Sequence, residues 1–393
     1  MGAVSGPRRA VLRYFLLPRR GDVVKWIILP VGFLVGTLTG GPPTRAALID
    51  ALVIWFCLEL LVYQARYQWN DIRGFDADQR HPDGDRSRLP GPVEKKGSRV
   101  LWSTATAVAK VTTALLASVL VSARLGWTMA LLSVLVFGLA ALYEWLRARF
   151  TGRQEGVPDS VTAGVGAIWL VVGAGYALRA VSGLSLATDL DGWAFLAAVL
   201  AAWLFGIAWV TSRWAVEATA YARVEEDRLV WRATRDDARE HQLVLVHWLP
   251  AWDGAPRDLR SWAAARGGTP WSAPWNVAGA LAGCAVGVGG LLLADSTPDT
   301  ADLLLCGFLG LLASVAVLGS GLRREEVVAL SIPVVVGAMA VAGVPEPWRV
   351  AAPWCIVAVA QSCYLRQDRA SMGMFLRRTG AGSRRRAGAT TAS

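Results

Sequence analysis

The sequence predicts an all-α, multi-pass transmembrane helical bundle, and three observations predict it. Hydrophobic residues make up 54% of the 393 residues and charged residues only 18%. The apolar residues are gathered into repeated runs near the ~20 residues that a helix needs to cross a hydrocarbon core of about 30 Å. Alternating strands of about ten residues, as in an outer-membrane barrel, are not visible. A mean hydropathy of +0.39 excludes a disordered chain. The net charge is +10, but the bases are not mixed through the chain as in a nucleic-acid-binding protein, so no nucleic-acid partner is expected.

Taken in order, the runs are Val23–Gly40, Ala46–Gln64, Val100–Ser122, Trp127–Leu146, Ser160–Ala180, Gly192–Val210, Trp275–Ala294, Ala301–Ser320, Val327–Gly343 and Val350–Leu365. Pro333 and Pro353 interrupt the last two, which gives nine to ten spans. Residues 1–22 read as a basic cytoplasmic N-terminus and 23–365 as the membrane domain. Segments 65–99 and 211–270 read as cytoplasmic caps, 229–245 within them as helix, and 366–393 as a basic, disordered tail. No cleavable signal peptide is evident, because Lys25 is followed by a full span. Cys57, Cys284, Cys306, Cys355 and Cys363 all fall within apolar spans and read as buried, reduced thiols.

Lys and Arg alternate from loop to loop as the positive-inside rule requires. Only Arg45, Arg124, Arg179 and Arg349 fall on the outer side, and Lys110 lies within a span. This assigns both termini and both caps to the cytoplasmic side of the cell membrane. Asp50, Glu59 and Lys110 stand at membrane depth, where ionisable groups usually face an interior. The comparable depths of Glu59 and Lys110 predict an ion pair between adjacent helices.

Polar groups gather in two places. After the second span comes Tyr67-Gln68-Trp69-Asn70-Asp71-Ile72-Arg73-Gly74-Phe75-Asp76-Ala77-Asp78-Gln79-Arg80-His81-Pro82. If the helix continues past the membrane, Asn70, Asp71, Gly74 and Asp78 share one stripe while Asp76 points elsewhere. Oxygen ligands so placed suit Mg²⁺, which takes few carboxylates and shares phosphate oxygens. Arg73, Arg80, Arg86 and Arg88 supply positive charge for a diphosphate. After the sixth span, Glu217, Tyr221 and Glu225 are spaced to share a helical face. Of the three histidines, His81 alone is placed near substrate, and no zinc site is expected.

The first run resembles the opening signature of the UbiA superfamily of intramembrane prenyltransferases: Asn-Asp, two residues, Asp, three residues, Asp. Asn70, Asp71 and Asp78 match, Gly74 stands at the middle Asp, and Arg88-Leu89-Pro90-Gly91 is similar to the end of the motif. His81-Pro82 is similar to the branch that transfers phosphoribose to a polyprenyl phosphate. Tyr143 and Arg147 stand in a stretch similar to the family's turn after the fourth span. Glu217 and Glu225 stand where a second Asp-rich motif is expected.

The resemblance implies a UbiA-like bundle and Mg²⁺-dependent transfer of a prenyl group from a polyprenyl diphosphate to an acceptor. It implies metal ligation by Asn70, Asp71, Asp78, Glu217 and Glu225, and catalytic roles for the first three with Arg73 and Arg88. Diphosphate contacts would come from Arg80, Arg86, Lys110, Tyr143 and Arg147. Cyclisation of the prenyl diphosphate and phosphoribosyl transfer remain alternatives, and a non-catalytic membrane protein is a third. No transporter-type repeat is visible, and the oligomeric state is left open.

Overall fold

The structure, a computed structural model, describes residues 14–15, 23–80, 89, 95–151, 157–218, 222–225, 228–231, 240–249, 269–295, 297–320 and 324–359. Membrane-length helices dominate, and their starts follow from the local sequence. A 3₁₀ turn, Val23–Ile27, leads into α1, Ile28–Gly40. Thr44 caps α2 by accepting from the Ala47 amide at 3.1 Å. α2 runs as α-helix over Arg45–Phe56, widens into a π-helical stretch over Cys57–Val62, and resumes as α-helix over Tyr63–Arg80. α3 is Lys96–Val121. Ser122 ends it and caps α4, Ala123–Phe150, by accepting from the Leu125 amide. Thr162 does the same for α5, Ala163–Ala187, and Asp191 accepts from the Ala194 amide at the start of α6, Gly192–Ala218.

Beyond the sixth helix the sequence reading is corrected. Ala222–Glu225 and Arg228–Trp231 are strands β1 and β2 of an antiparallel hairpin, with Glu225 opposite Arg228. The run Ala-Arg-Val-Glu … Arg-Leu-Val-Trp carries Val in both arms and leaves only two residues between them, which suits a tight hairpin. Of the helix expected over 229–245, residues 229–231 are strand instead, 232–239 lie outside the described residues, and the rest is a short helix α7, Glu240–Leu243, followed by a 3₁₀ turn, Val244–Trp248. α8, Pro274–Ala294, starts with Pro in its first turn, where a missing amide costs nothing. α9 is Thr300–Gly319, capped by Asp299, and α10 is Arg324–Val341 with Pro333 inside it. A last helix, α11, covers 347–359.

Seven of these helices are long and apolar enough to cross a membrane, and Lys25–Gly40 forms a shorter apolar helix. α5 packs most heavily on α1 and α6, and α8 on α6 and α9. These seams are built on small residues. A side chain at Gly32 would strike the Ala180 carbonyl, and one at Gly183 the Leu29 carbonyl, so α1 and α5 touch backbone to backbone. Gly287 meets the Cys306 carbonyl in the same way between α8 and α9. α3 lies at the edge, with Leu101, Trp102, Leu116 and Leu120 all exposed. Between α1, α5, α6, α8, α9 and α11 lies an apolar cavity of about 140 Å³, lined by Ile28, Gly32, Ala201, Phe205, Val286 and Trp354 among others.

The contacts sort the two ends of the bundle. Arg124 Nη2 is 3.2 Å from Asp50 Oδ2, and Arg349 bonds the Thr39 carbonyl, so two of the predicted outer-side bases meet neighbouring helices. Arg179 is corrected: it is not in an outer loop but 2% exposed within α5. At the other end Lys96 Nζ is 2.7 Å from Asp76 Oδ1, and His247 Nε2 is 2.5 Å from the Pro158 carbonyl.

Candidate functional site

The inward face of α2 is polar. Glu59, Tyr63, Tyr67 and Asp71 recur at four-residue spacing, Gln64 and Gln68 flank them, and none is more than 9% exposed. From Glu59 to Asp71 this file runs roughly 18 Å along the axis, at about 1.5 Å per residue. A buried polar row of that length inside a membrane-length helix is not needed for packing, and such groups mark sites.

At its deep end Glu59 sits in the π-helical stretch, a helix form that often marks function. Arg179 from α5 grips it bidentately: Nε donates to Oε1 at 2.5 Å and Nη2 to Oε2 at 3.2 Å. The guanidinium carbon lies 3.2 Å from the centroid of the Tyr63 ring. Arg179 Nη1 and the Tyr63 hydroxyl each donate to the Gly175 carbonyl at 3.2 Å. Glu59 therefore does not pair with Lys110. Arg179 takes it because α5 lies against this side of α2 and its planar fork matches a carboxylate.

Toward the other end, Lys25 Nζ donates to the Tyr67 hydroxyl at 3.3 Å, and Arg66 also lies over that ring. Asp71 is 1% exposed; Tyr14 donates to its Oδ2 at 3.2 Å and lies 3.4 Å from Ser103 Oγ on α3. Gln68, 3% exposed, has no hydrogen-bond partner among the described residues for either its amide nitrogen or its oxygen. An unsatisfied buried polar group costs about 1–3 kcal/mol. Lys110 on α3 is half-buried and forms no hydrogen bond or ion pair among the described residues, at a depth where a charge costs about 2.5–3.5 kcal/mol on insertion scales. The buried Nε of Arg99, one turn from Ser103 on the same helix, likewise has no hydrogen-bond partner among the described residues.

A second polar group closes the same end of the bundle. His241, 1% exposed, lies 3.3 Å from the Tyr143 hydroxyl, with the Trp214 ring 4.7 Å from its own. Trp169 Nε1 donates to the His241 carbonyl at 3.0 Å. Glu144 is buried and held by Arg147 at 2.7 Å, and Arg147 also lies over the Tyr143 ring. Gln242 Nε2 donates to Glu217 Oε2 at 3.3 Å.

Measured against the sequence reading, the second helix does continue through Arg80, and Asp76 does point away, to Lys96. Asn70 is half-buried beside Asp71, and Arg73 is exposed. Asp78 and Arg80 sit on the final turns of the α2 backbone, while His81, Arg86 and Arg88 lie outside the described residues. The helical face shared by Glu217 and Glu225 does not exist, because α6 ends at Ala218 and Glu225 belongs to β1. No group of three or more His, Cys, Asp or Glu side chains is assembled for a metal among the described residues.

Asn70 and Asp71 offer side-chain oxygens of the kind Mg²⁺ takes, at adjacent positions of α2. The sequence reading missed Arg179, Gln68, Ser103, Tyr14, Arg99 and His241. Gln68 and Ser103 were legible only as uncharged polar residues in or beside apolar runs. No protein-family model, curated protein or solved structure matches the chain.

Proposed function

We propose that the protein is an intramembrane transferase of the UbiA type, moving a prenyl group from a prenyl diphosphate to an acceptor at the cytoplasmic side of the cell membrane. The observation that carries this reading is Asp71, buried next to Asn70 on the polar face of a membrane-length helix. An amphiphile with a long apolar tail and an anionic head needs both environments within reach. The apolar cavity supports the tail side. Its wall includes Ile27 and Ile28, two and three residues beyond the Lys25 that donates to Tyr67, one turn from Asp71.

In this reading Asn70 and Asp71 hold Mg²⁺, and Lys25, Arg73 and Arg99 add positive charge for the diphosphate. Bound Mg²⁺ would supply Lewis-acid charge to the departing diphosphate. The allylic C–O bond would break with its electron pair leaving on the diphosphate, and the acceptor's nucleophilic atom would bond to the allylic carbon and pass its proton to the released diphosphate or to water. Tyr14 keeps the Asp71 carboxylate oriented. Glu144 is already engaged by Arg147 and Glu217 by Gln242, so neither is assigned to the metal.

The paired rings of Tyr143 and Trp214 favour a second reading in which the cation closes on itself, because aromatic faces stabilise cations. The test is product analysis of nanodisc-reconstituted protein given labelled geranylgeranyl diphosphate and Mg²⁺, with and without a lipid extract as acceptor source. Conjugates that form only with the extract support transfer, and a cyclic hydrocarbon without it supports closure. Asp71→Asn should lower either yield at least 100-fold. Undiminished product in Asp71→Asn, or in excess EDTA, would refute both.

A further inference from the structure

We propose that the seam between α2 and α3 binds the anionic head of a single-chain amphiphile, with Lys110 supplying the charge and Gln68 the hydrogen bonds. This goes beyond prenyl transfer, since head-group binding needs neither Mg²⁺ nor turnover.

Tyr14 sets the register of the antiparallel pair, because its hydroxyl donates to Asp71 on α2 and lies 3.4 Å from Ser103 Oγ on α3. From that anchor both helices are α-helical for the next seven residues, so Lys110 stands level with Gln64 and about one turn from Gln68. Lys110 also shares its face of α3 with Ser103 and Ala114, seven residues before it and four after, and both are 0% exposed. Its stem therefore points to the seam rather than to lipid, and a lysine stem reaches across one turn.

The acids nearest this seam are engaged elsewhere. Glu59 is clasped by Arg179, Asp71 accepts from Tyr14, and Asp76 is held by Lys96. Gln68 offers two donors and an acceptor, none used among the described residues. An ammonium with no ion pair among the described residues, about one turn from an amide with no partner among them, is a receptor for an anion that can also be hydrogen-bonded, and carboxylate and phosphate both qualify. Because α3 is the edge helix, with Val108 and Leu116 exposed on its flanks, such a ligand reaches the seam sideways from the bilayer and leaves its tail there.

The test compares three probes with one tail: dodecyl phosphate, dodecanoate and dodecanol. Each is titrated against the full chain in zwitterionic nanodiscs containing EDTA. At least one anion should bind tenfold or more tighter than the alcohol. The tighter anion identifies whether the natural head is a phosphate or a carboxylate. Lys110→Met should erase the preference while leaving dodecanol affinity unchanged, and Lys110→Arg should retain it. Gln68→Leu should weaken anion binding several-fold. Equal affinity for all three probes, or a preference that survives Lys110→Met, overturns the proposal. If Lys110→Met does not fold, Gln68→Leu carries the test, and undiminished anion affinity in that variant overturns it. Because no turnover is read, failure here leaves the transferase reading standing, and the converse also holds.

Discussion

Removing either half of the Glu59–Arg179 pair should cost far more than removing both. Arg179→Leu deletes two charge-assisted hydrogen bonds to Glu59, the Nη1 bond to Gly175 and the cation over Tyr63. It leaves a carboxylate in a site where Glu59 is 1% exposed. Glu59→Leu strands the guanidinium, which cannot discharge by losing its proton. Breaking a buried pair from one side costs about 3–5 kcal/mol, whereas exchanging both ions for apolar residues is often close to neutral. The double variant Glu59→Leu/Arg179→Leu should therefore lie within about 2 kcal/mol of the parent, a coupling of several kcal/mol. The assay is equilibrium unfolding in bicelles of the parent, both single variants and the double. If the double variant loses the sum of the two single losses, the pair does not act as a unit and the reasoning fails.

Two further outcomes follow from packing. Gly183→Leu places a side chain where the Leu29 carbonyl and Phe33 amide already lie, so α1 and α5 must separate; overpacking of this kind costs about 1–3 kcal/mol, and the thermal midpoint should fall. His241→Leu removes the Tyr143 contact and the ring against Trp214 but leaves the backbone carbonyl that Trp169 uses. Tryptophan emission should therefore change through Trp214, with a stability loss near 1 kcal/mol; an unchanged spectrum would remove His241 from this cluster.

The membrane helices were legible because bilayer thickness sets run length and the caps that bound them are local. Thr44, Ser122 and Asp299 each act within three residues of chain. That Asn70 and Asp71 lie on a continued helix was legible for the same reason, because helical spacing is local. Arg179 was not, because hydropathy places it at the end of a run and the charge rule sends it outside. Only the packing of α5 against α2 reveals a carboxylate and an aromatic face waiting for it. The hairpin was misread because Glu217, Tyr221 and Glu225 satisfy a helical spacing, whereas Glu225 is paired in a strand. Gln68 carries no charge, so a reading tuned to ionisable groups passed over it.

The π-helical stretch of α2 has a consequence for how the two halves of that helix are aimed. A wider turn holds an extra residue between the same two backbone bonds, and one residue is worth about 100° of rotation. α2 is thus two α-helical phases joined by a step at Cys57–Val62. Arg45–Phe56 keeps the azimuth that suits hydrocarbon, and Tyr63–Arg80 takes the one that turns Gln64, Tyr67, Gln68 and Asp71 inward. Each half can keep its own facing without dictating the other's, so a single continuous rod serves as both a membrane anchor and an independently oriented polar wall.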